Sequence, residues 1–246
     1  MNIVGLIPVR LESSRLPNKA LVDIATMPMI THVVRRSMMS KLLDRVIVCT
    51  DSPLICNLCI ENNFEVILTK SSHTNGTERI AEAARILKLN RDSIVMDIQG
   101  DEPLLDPEMI DNVVRFTQNN TYDIVVPFLE VVEANSKNRV KLVVSGNRVI
   151  YMSRSVVPFD YLKNTTFCKH LSIIGFKYEA LLNFADSPPL KLEEIEGIEL
   201  LRAIELGLSV GTFKENGDSL AVDTKEDLEK VQQLILRDKI FLKYNI

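Results

Sequence analysis

Short apolar runs alternating with helical patterns through the first half of the chain leave few folds open to it. The runs cover residues 3–7, 45–49, 65–68, 93–98 and 123–126, and helix-period stretches cover 28–40, 53–62, 77–87 and 107–119 between them. Pro28, Pro53 and Pro107 sit at first-turn positions, where a missing N–H costs little, and Ser52 and Asp106 are placed to cap the last two of these three helices. Strand, capped helix and strand at this spacing make βαβ units, which close into a parallel sheet with helices on its faces. The expected fold is α/β, with a doubly wound, mostly parallel sheet. Ligands on such sheets bind beyond the carboxyl ends of the strands. Two segments leave such ends, residues 10–19 and 97–102.

The second half changes character. Residues 140–145 and 148–152 flank Gly146-Asn147 and read as a hairpin. Residues 171–176 and 210–213 read as strands, 193–206 as a helix ended by Gly207, and 225–237 as a terminal helix capped by Thr224 or Asp223. With no long linker and no internal repeat, the expectation is one domain over residues 1–246. A small substrate or dimer lobe is expected as an insertion at roughly 130–205, with Tyr151 and Phe159 in its core.

Composition excludes several function classes. A net charge of −4 over 246 residues argues against non-specific nucleic-acid binding. No run of uninterrupted apolar residues is long enough to span a membrane, and the start, Met1-Asn2-Ile3-Val4-Gly5, lacks a basic leader, so the expected location is the cytoplasm. Cys49, Cys56, Cys59 and Cys168 fit reduced thiols; Cys56-x-x-Cys59 falls in a helical pattern and reads as packing.

The segment after the first strand, Arg10-Leu11-Glu12-Ser13-Ser14-Arg15-Leu16-Pro17-Asn18-Lys19, offers two guanidinium forks, two hydroxyls and an ammonium. These are the groups that bind a polyphosphate. It is neither a Walker A loop nor a Rossmann fingerprint, since it lacks their glycines. The second segment, Asp97-Ile98-Gln99-Gly100-Asp101-Glu102-Pro103, sets carboxylates and an amide at the end of a buried strand. A carboxylate at a strand end beside a phosphate loop suits Mg²⁺, which takes one or two carboxylates and completes its shell with water and phosphate oxygens. Asp101 is the expected ligand there, and Glu102 reads as part of a solvated acidic turn. Asp223, just before the terminal helix, is either an N-cap or a second carboxylate for the same metal. His32 and His73 receive no role.

Together these segments resemble the 3-deoxy-manno-octulosonate cytidylyltransferase (CMP-KDO synthetase) family of CMP-sugar nucleotidyltransferases. The matching stretches include IPVRLESSRLPNKAL (7–21), RVIVCTD (45–51), TNGTERIAEA (74–83), DIQGDEPLL (97–105), YMSRSVVPF (151–159), KHLSIIGF (169–176) and VDTKEDLEKV (222–231). The resemblance implies a nucleotide-diphospho-sugar transferase-like core with a small dimerisation lobe, and a homodimer. It implies transfer of CMP from CTP to a 2-keto-3-deoxy sugar acid for lipopolysaccharide or capsule synthesis. It places Arg10, Ser13, Arg15 and Lys19 on the triphosphate, Gln99 on the cytosine side, Arg79 at the ligand interface, and Asp101 and Asp223 on Mg²⁺. Lys19, Asp101 and Asp223 are the catalytic set, and Arg154, His170 and Glu199 hold the sugar acid.

Two positions depart from the family pattern. Ile174 and Leu200 stand where the family carries polar residues, so an amino-substituted octulosonate or a nonulosonic acid is the alternative substrate. A non-catalytic nucleotide-binding relative is the further alternative.

Overall fold

The computed structural model describes residues 1–13, 15–132, 139–162 and 165–244. Ser14 of the basic segment lies outside the described residues. The first half is built as βαβ units: β1 (Ile3–Val9), two short strands β2 (Asp23–Ile24) and β3 (Met27–Pro28), α1 (Met29–Ser37), β4 (Arg45–Thr50), α2 (Pro53–Glu61), β5 (Glu65–Leu68), α3 (Gly76–Ile86), β6 (Ile94–Asp97) and α4 (Pro107–Asn119). Ser52 and Asp106 cap α2 and α4 through their side chains, as expected. Pro28 lies one residue further out than expected, as the extended N-cap of α1.

The second half contains β7 (Ile124–Val131), β8 (Lys141–Ser145), β9 (Arg148–Ser153), β10 (Phe167–His170), β11 (Ile174–Lys177), α5 (Tyr178–Asp186), α6 (Lys191–Glu196), α7 (Leu200–Glu205), β12 (Val210–Lys214), α8 (Lys225–Ile235) and α9 (Phe241–Tyr244). All strands but β2 and β3 join one sheet, in the order β10-β8-β9-β12-β7-β11-β6-β1-β4-β5, with β10 also pairing with β7. The run β6-β1-β4-β5 is parallel. β12 is parallel to β7, while β11 is antiparallel to both β6 and β7.

Alternate residues of the central strands feed opposite faces, as the pleat requires. Val4, Leu6 and Ile47 pack in one buried cluster with Ile80 and Ala84 of α3 and Phe184 of α5. Ile3, Ile7 and Val48 pack in another with Val33 of α1, Ile55 of α2 and Val113 of α4. Helices on both faces explain why these strands read as unbroken apolar runs. A third cluster, Ile24, Met29, Val222, Val231, Ile235 and Phe241, seats α8 and α9 against β2 and the start of α1. The four cysteines are free; Cys59 is buried in α2 and Cys56 is half-buried beside it.

Three expectations change. The strand expected at 171–176 forms only from Ile174, as β11; β10 ends just before the expected range, and both strands run along the same edge of β7, His170 facing Phe128 and Gly175 facing Val125. Five steps along β10–β11 thus span three along β7, and the excess is taken up at Leu171–Ser172–Ile173, where Leu171 and Ile173 stay buried in the core. Pro127, with no N–H for the ladder, lies opposite this break and accepts from Leu171 N through its carbonyl (3.1 Å). The helix expected at 193–206 is interrupted at Gly197, which takes a left-handed conformation (φ 62°) and separates α6 from α7. Phe159, expected in a lobe core, is 86% exposed, because the segment 155–162 runs over the surface with no strand partner.

Candidate active site

β1 and β6 are neighbours in the sheet, so the segments leaving their carboxyl ends lie side by side. Gly100 allows this closeness: a Cβ there would stand 2.6 Å from Val9 Cγ2 and 3.2 Å from the Pro8 carbonyl oxygen. The C-terminal segment completes the arrangement, since Val222 N donates to the Asp101 carbonyl (2.9 Å) and brings Asp223 beside Asp101. Thr224, not Asp223, caps α8, in a reciprocal capping box with Asp227. The Asp223 carboxylate is therefore left to face the loops.

Between these segments opens a cleft of about 330 Å³, a size suited to a small ligand. Arg10, Ser13, Arg15, Lys19, Arg79, Gln99, Asp101, Asp223 and Glu199 all line it. Its centre is Lys19, whose Nζ donates to Asp101 Oδ2 (2.7 Å) and Asp223 Oδ1 (3.0 Å). Burial alone would lower the Lys19 ammonium, but the two carboxylates outweigh it and hold it above its ordinary value. Arg15 Nη2 reaches the same Asp223 oxygen at 3.2 Å. Arg10 is exposed and makes no ion pair among the described residues. Arg79 is buried, with Nη2 donating to Asp51 Oδ2 (2.9 Å) and Nη1 to Thr69 Oγ1 (2.7 Å).

Behind the lining residues, on the inner side, the chemistry differs; of the acids there only Glu199 reaches the cleft. Asp97 is only 2% exposed, and its Oδ1 accepts from Gln99 Nε2 at 3.0 Å. Burial, reinforced by Glu199, pushes the Asp97 carboxyl well above its usual range. Glu199 accepts from Thr77 Oγ1 (2.9 Å) and is likewise raised, by burial first. Glu102 is not a solvated acid: it is 5% exposed, and burial pushes its carboxyl up to about 7.

Two expected sugar-holding residues lie off the cleft walls. Arg154 donates from Nε to the Glu196 carbonyl and from Nη2 to the Gly197 carbonyl, both at 2.8 Å, two residues short of Glu199. His170 has its Nε2 closed off from solvent without a partner among the described residues, and burial lowers its imidazole to about 4. Ile174 and Leu200 are buried together in the apolar cluster below the sheet, not on the cleft wall. Residue reading missed His73, Thr74, Asn75 and Gly76, which form another wall. The signal was present: Asn75 is an Asn immediately before a helical pattern, and its side chain caps α3 by accepting from Glu78 N. A helix N-terminus aimed at a cleft favours anions there.

Residues 4–237 match the family described as Cytidylyltransferase. The chain belongs to the cytidylyltransferase family. It is 40% identical to the 3-deoxy-manno-octulosonate cytidylyltransferase of Syntrophobacter fumaroxidans, over 98% of this chain and 99% of that one. It is 38% identical to the enzyme so named from Zea mays, over 94% of this chain and 80% of the relative. A solved structure of CMP:2-keto-3-deoxy-manno-octonic acid synthetase complexed with CTP superposes with a TM-score of 0.91 at 30% identity, covering 96% of this chain and 99% of that one. A putative glucose-1-phosphate thymidylyltransferase from Bacillus anthracis shares the fold alone, at TM-score 0.69 and 16% identity over 98% of this chain and 99% of that one. No helix of this cytidylyltransferase, among the described residues, is long and apolar enough to cross a membrane.

Proposed function

We propose that this cytidylyltransferase activates 3-deoxy-manno-octulosonate, or a close analogue, with CTP, giving the CMP-sugar and pyrophosphate for lipopolysaccharide or capsule assembly. The observation that carries the reading is the Lys19 ammonium shared by Asp101 and Asp223 in the cleft that Arg10, with no ion pair among the described residues, also lines. In the reaction the sugar's anomeric hydroxyl attacks the α-phosphorus; a new P–O bond forms, the bond to the pyrophosphate oxygen breaks, and the hydroxyl proton passes to solvent water. Arg10 and Arg15 bind phosphate oxygens and Lys19 neutralises the charge that grows on the leaving pyrophosphate. Gln99 and Arg79 bound the nucleotide. Glu199 faces the sugar acid, with Arg154 and His170 supporting that side from behind.

The same residues fit Mg²⁺. Asp101 and Asp223 already converge on one cation, the Lys19 ammonium, and no third His, Cys, Asp or Glu joins them among the described residues. Two carboxylates with the remaining positions left to water and phosphate oxygens are a Mg²⁺ donor set. Asp101 and Asp223 would hold it, and the ion supplies charge neutralisation to a bound triphosphate.

Residues 130–205 serve as the lobe through which two copies associate. Val156, Phe159, Tyr161 and Leu162 are large apolar side chains exposed on one surface segment, and a homodimer covers them. The free thiols suit the cytoplasm. Pyrophosphate release from CTP, measured across the octulosonate, its amino-substituted analogue and a nonulosonic acid, tests the reaction. Release with the octulosonate supports the reading; CTP binding without release from any of them overturns it. Sedimentation of wild type and Phe159→Glu tests the dimer, and an unchanged dimer in the variant would exclude this surface.

A further inference from the structure

The backbone on either side of Gln99 is fixed before any ligand arrives. Ile98 N donates to the Leu6 carbonyl (3.0 Å), and Glu102 N donates to the Gln99 carbonyl (3.3 Å). Gly100 fits against Val9 with no room for a Cβ. What remains undetermined is the amide at the end of the side chain. A glutamine amide turned over about its last bond swaps a donor for an acceptor with almost no change of shape. A cleft that reads hydroxyl, amino or ring nitrogen must therefore fix that rotation.

Asp97 is the group in position to fix it. It is the last residue of β6, buried between the faces, and its Oδ1 accepts from Gln99 Nε2 at 3.0 Å. We propose that Asp97 is a positioning residue that turns the Gln99 amide so its carbonyl oxygen faces the cleft as an acceptor. The ligand group read there is then a hydrogen-bond donor, such as an amino or hydroxyl group. The inference rests on the reading of the cleft as the CTP and sugar-acid site. Burial and the neighbouring Glu199 push the Asp97 carboxyl upward, and an asparagine Oδ1 offers Gln99 Nε2 the same acceptor as Asp97 Oδ1.

The test combines kinetics with an exchange measurement. If Asp97 acts through Gln99, D97L raises KM for one of the two substrates about tenfold with kcat nearly unchanged, and D97N stays within about twofold of wild type. In a Q99A background D97L adds no further loss. Equal impairment of D97L and D97N, multiplying losses in D97L/Q99A, or a loss confined to kcat overturns the proposal. Side-chain amide exchange in the wild-type protein needs neither activity nor a folded D97L. The Gln99 amide should exchange at least about tenfold more slowly than that of Gln118, which is exposed on α4. Equal rates overturn the proposal. Absence of pyrophosphate release by wild type overturns the reading of the cleft instead, and the exchange comparison still decides the role of Asp97.

Discussion

The mouth of the cleft and its inner side both carry acids, but they dispose of charge in opposite ways. At the mouth, Asp101 and Asp223 stay partly in water and are matched by Lys19 and Arg15. On the inner side, behind the residues that line the cleft, Asp97, Glu102 and His170 are cut off from solvent, and burial drives each toward its neutral form, the carboxyls upward and the imidazole downward. Charge answered by charge can be handed to an incoming cation or anion with little rearrangement. Charge removed by burial leaves neutral polar atoms that hold one orientation. On the proposed reading the mouth exchanges ionic partners and the inner side supports recognition by direction.

The sharpest way to break this contrast is to take one acid from each side. Asp101→Ala leaves Lys19 with Asp223 alone and removes half of the carboxylate pair proposed to hold Mg²⁺. Turnover at saturating Mg²⁺ should fall by roughly 10³-fold or more, while CTP-free stability changes little because Lys19 keeps Asp223 as its partner. Near wild-type turnover in this variant would remove Asp101 from the reaction.

His170 gives a smaller effect, read in stability. Its folded value is about 4, against an ordinary value of 6.5. Between those two pH values the unfolded chain binds a proton that the folded one refuses, so stability rises with pH across that window and is lost as pH falls through it. The cost on acidification to pH 4 is about 2–3 kcal/mol. Asp97 and Glu102 act in the other direction, since their raised values cost stability as pH rises. The difference between wild type and His170→Asn isolates the histidine. Denaturant unfolding at pH 7 and pH 4.5 should show wild type losing ground to the variant, and parallel pH profiles would place the imidazole in contact with water.

This division also explains what the sequence made legible. The βαβ half was readable because strands covered on both faces are continuous apolar runs and because Ser52-Pro53 and Asp106-Pro107 announce their helices. The mouth was readable for a related reason: charged residues crowded after a buried strand have few structural uses. The inner side was not. Glu102 looks like a surface acid until Pro103 and the segments around Ser172 and Ser219 enclose it. Long-range packing decides such burial, and no local pattern encodes it. The break at Pro127 opposite Leu171 and the helix α5, which follows β11 with no capping side chain, escape local reading for the same reason.

The smallest expected effect tests whether the mouth really trades partners. Arg15 Nη2 lies 3.2 Å from Asp223 Oδ1, with the arginine side chain 61% exposed and the carboxylate already held by Lys19. An ion pair so placed contributes about 0–0.5 kcal/mol, because water screens it and the long side chain loses rotamer freedom to form it. Arg15→Ala should therefore unfold within that margin of wild type. The same guanidinium next to a triphosphate has a fork-shaped partner of higher charge, so KM for CTP should rise several-fold and become less sensitive to added salt. A variant that loses stability but keeps its CTP affinity would mean that Arg15 serves Asp223 and not the nucleotide, and the mouth would then be as fixed as the inner side.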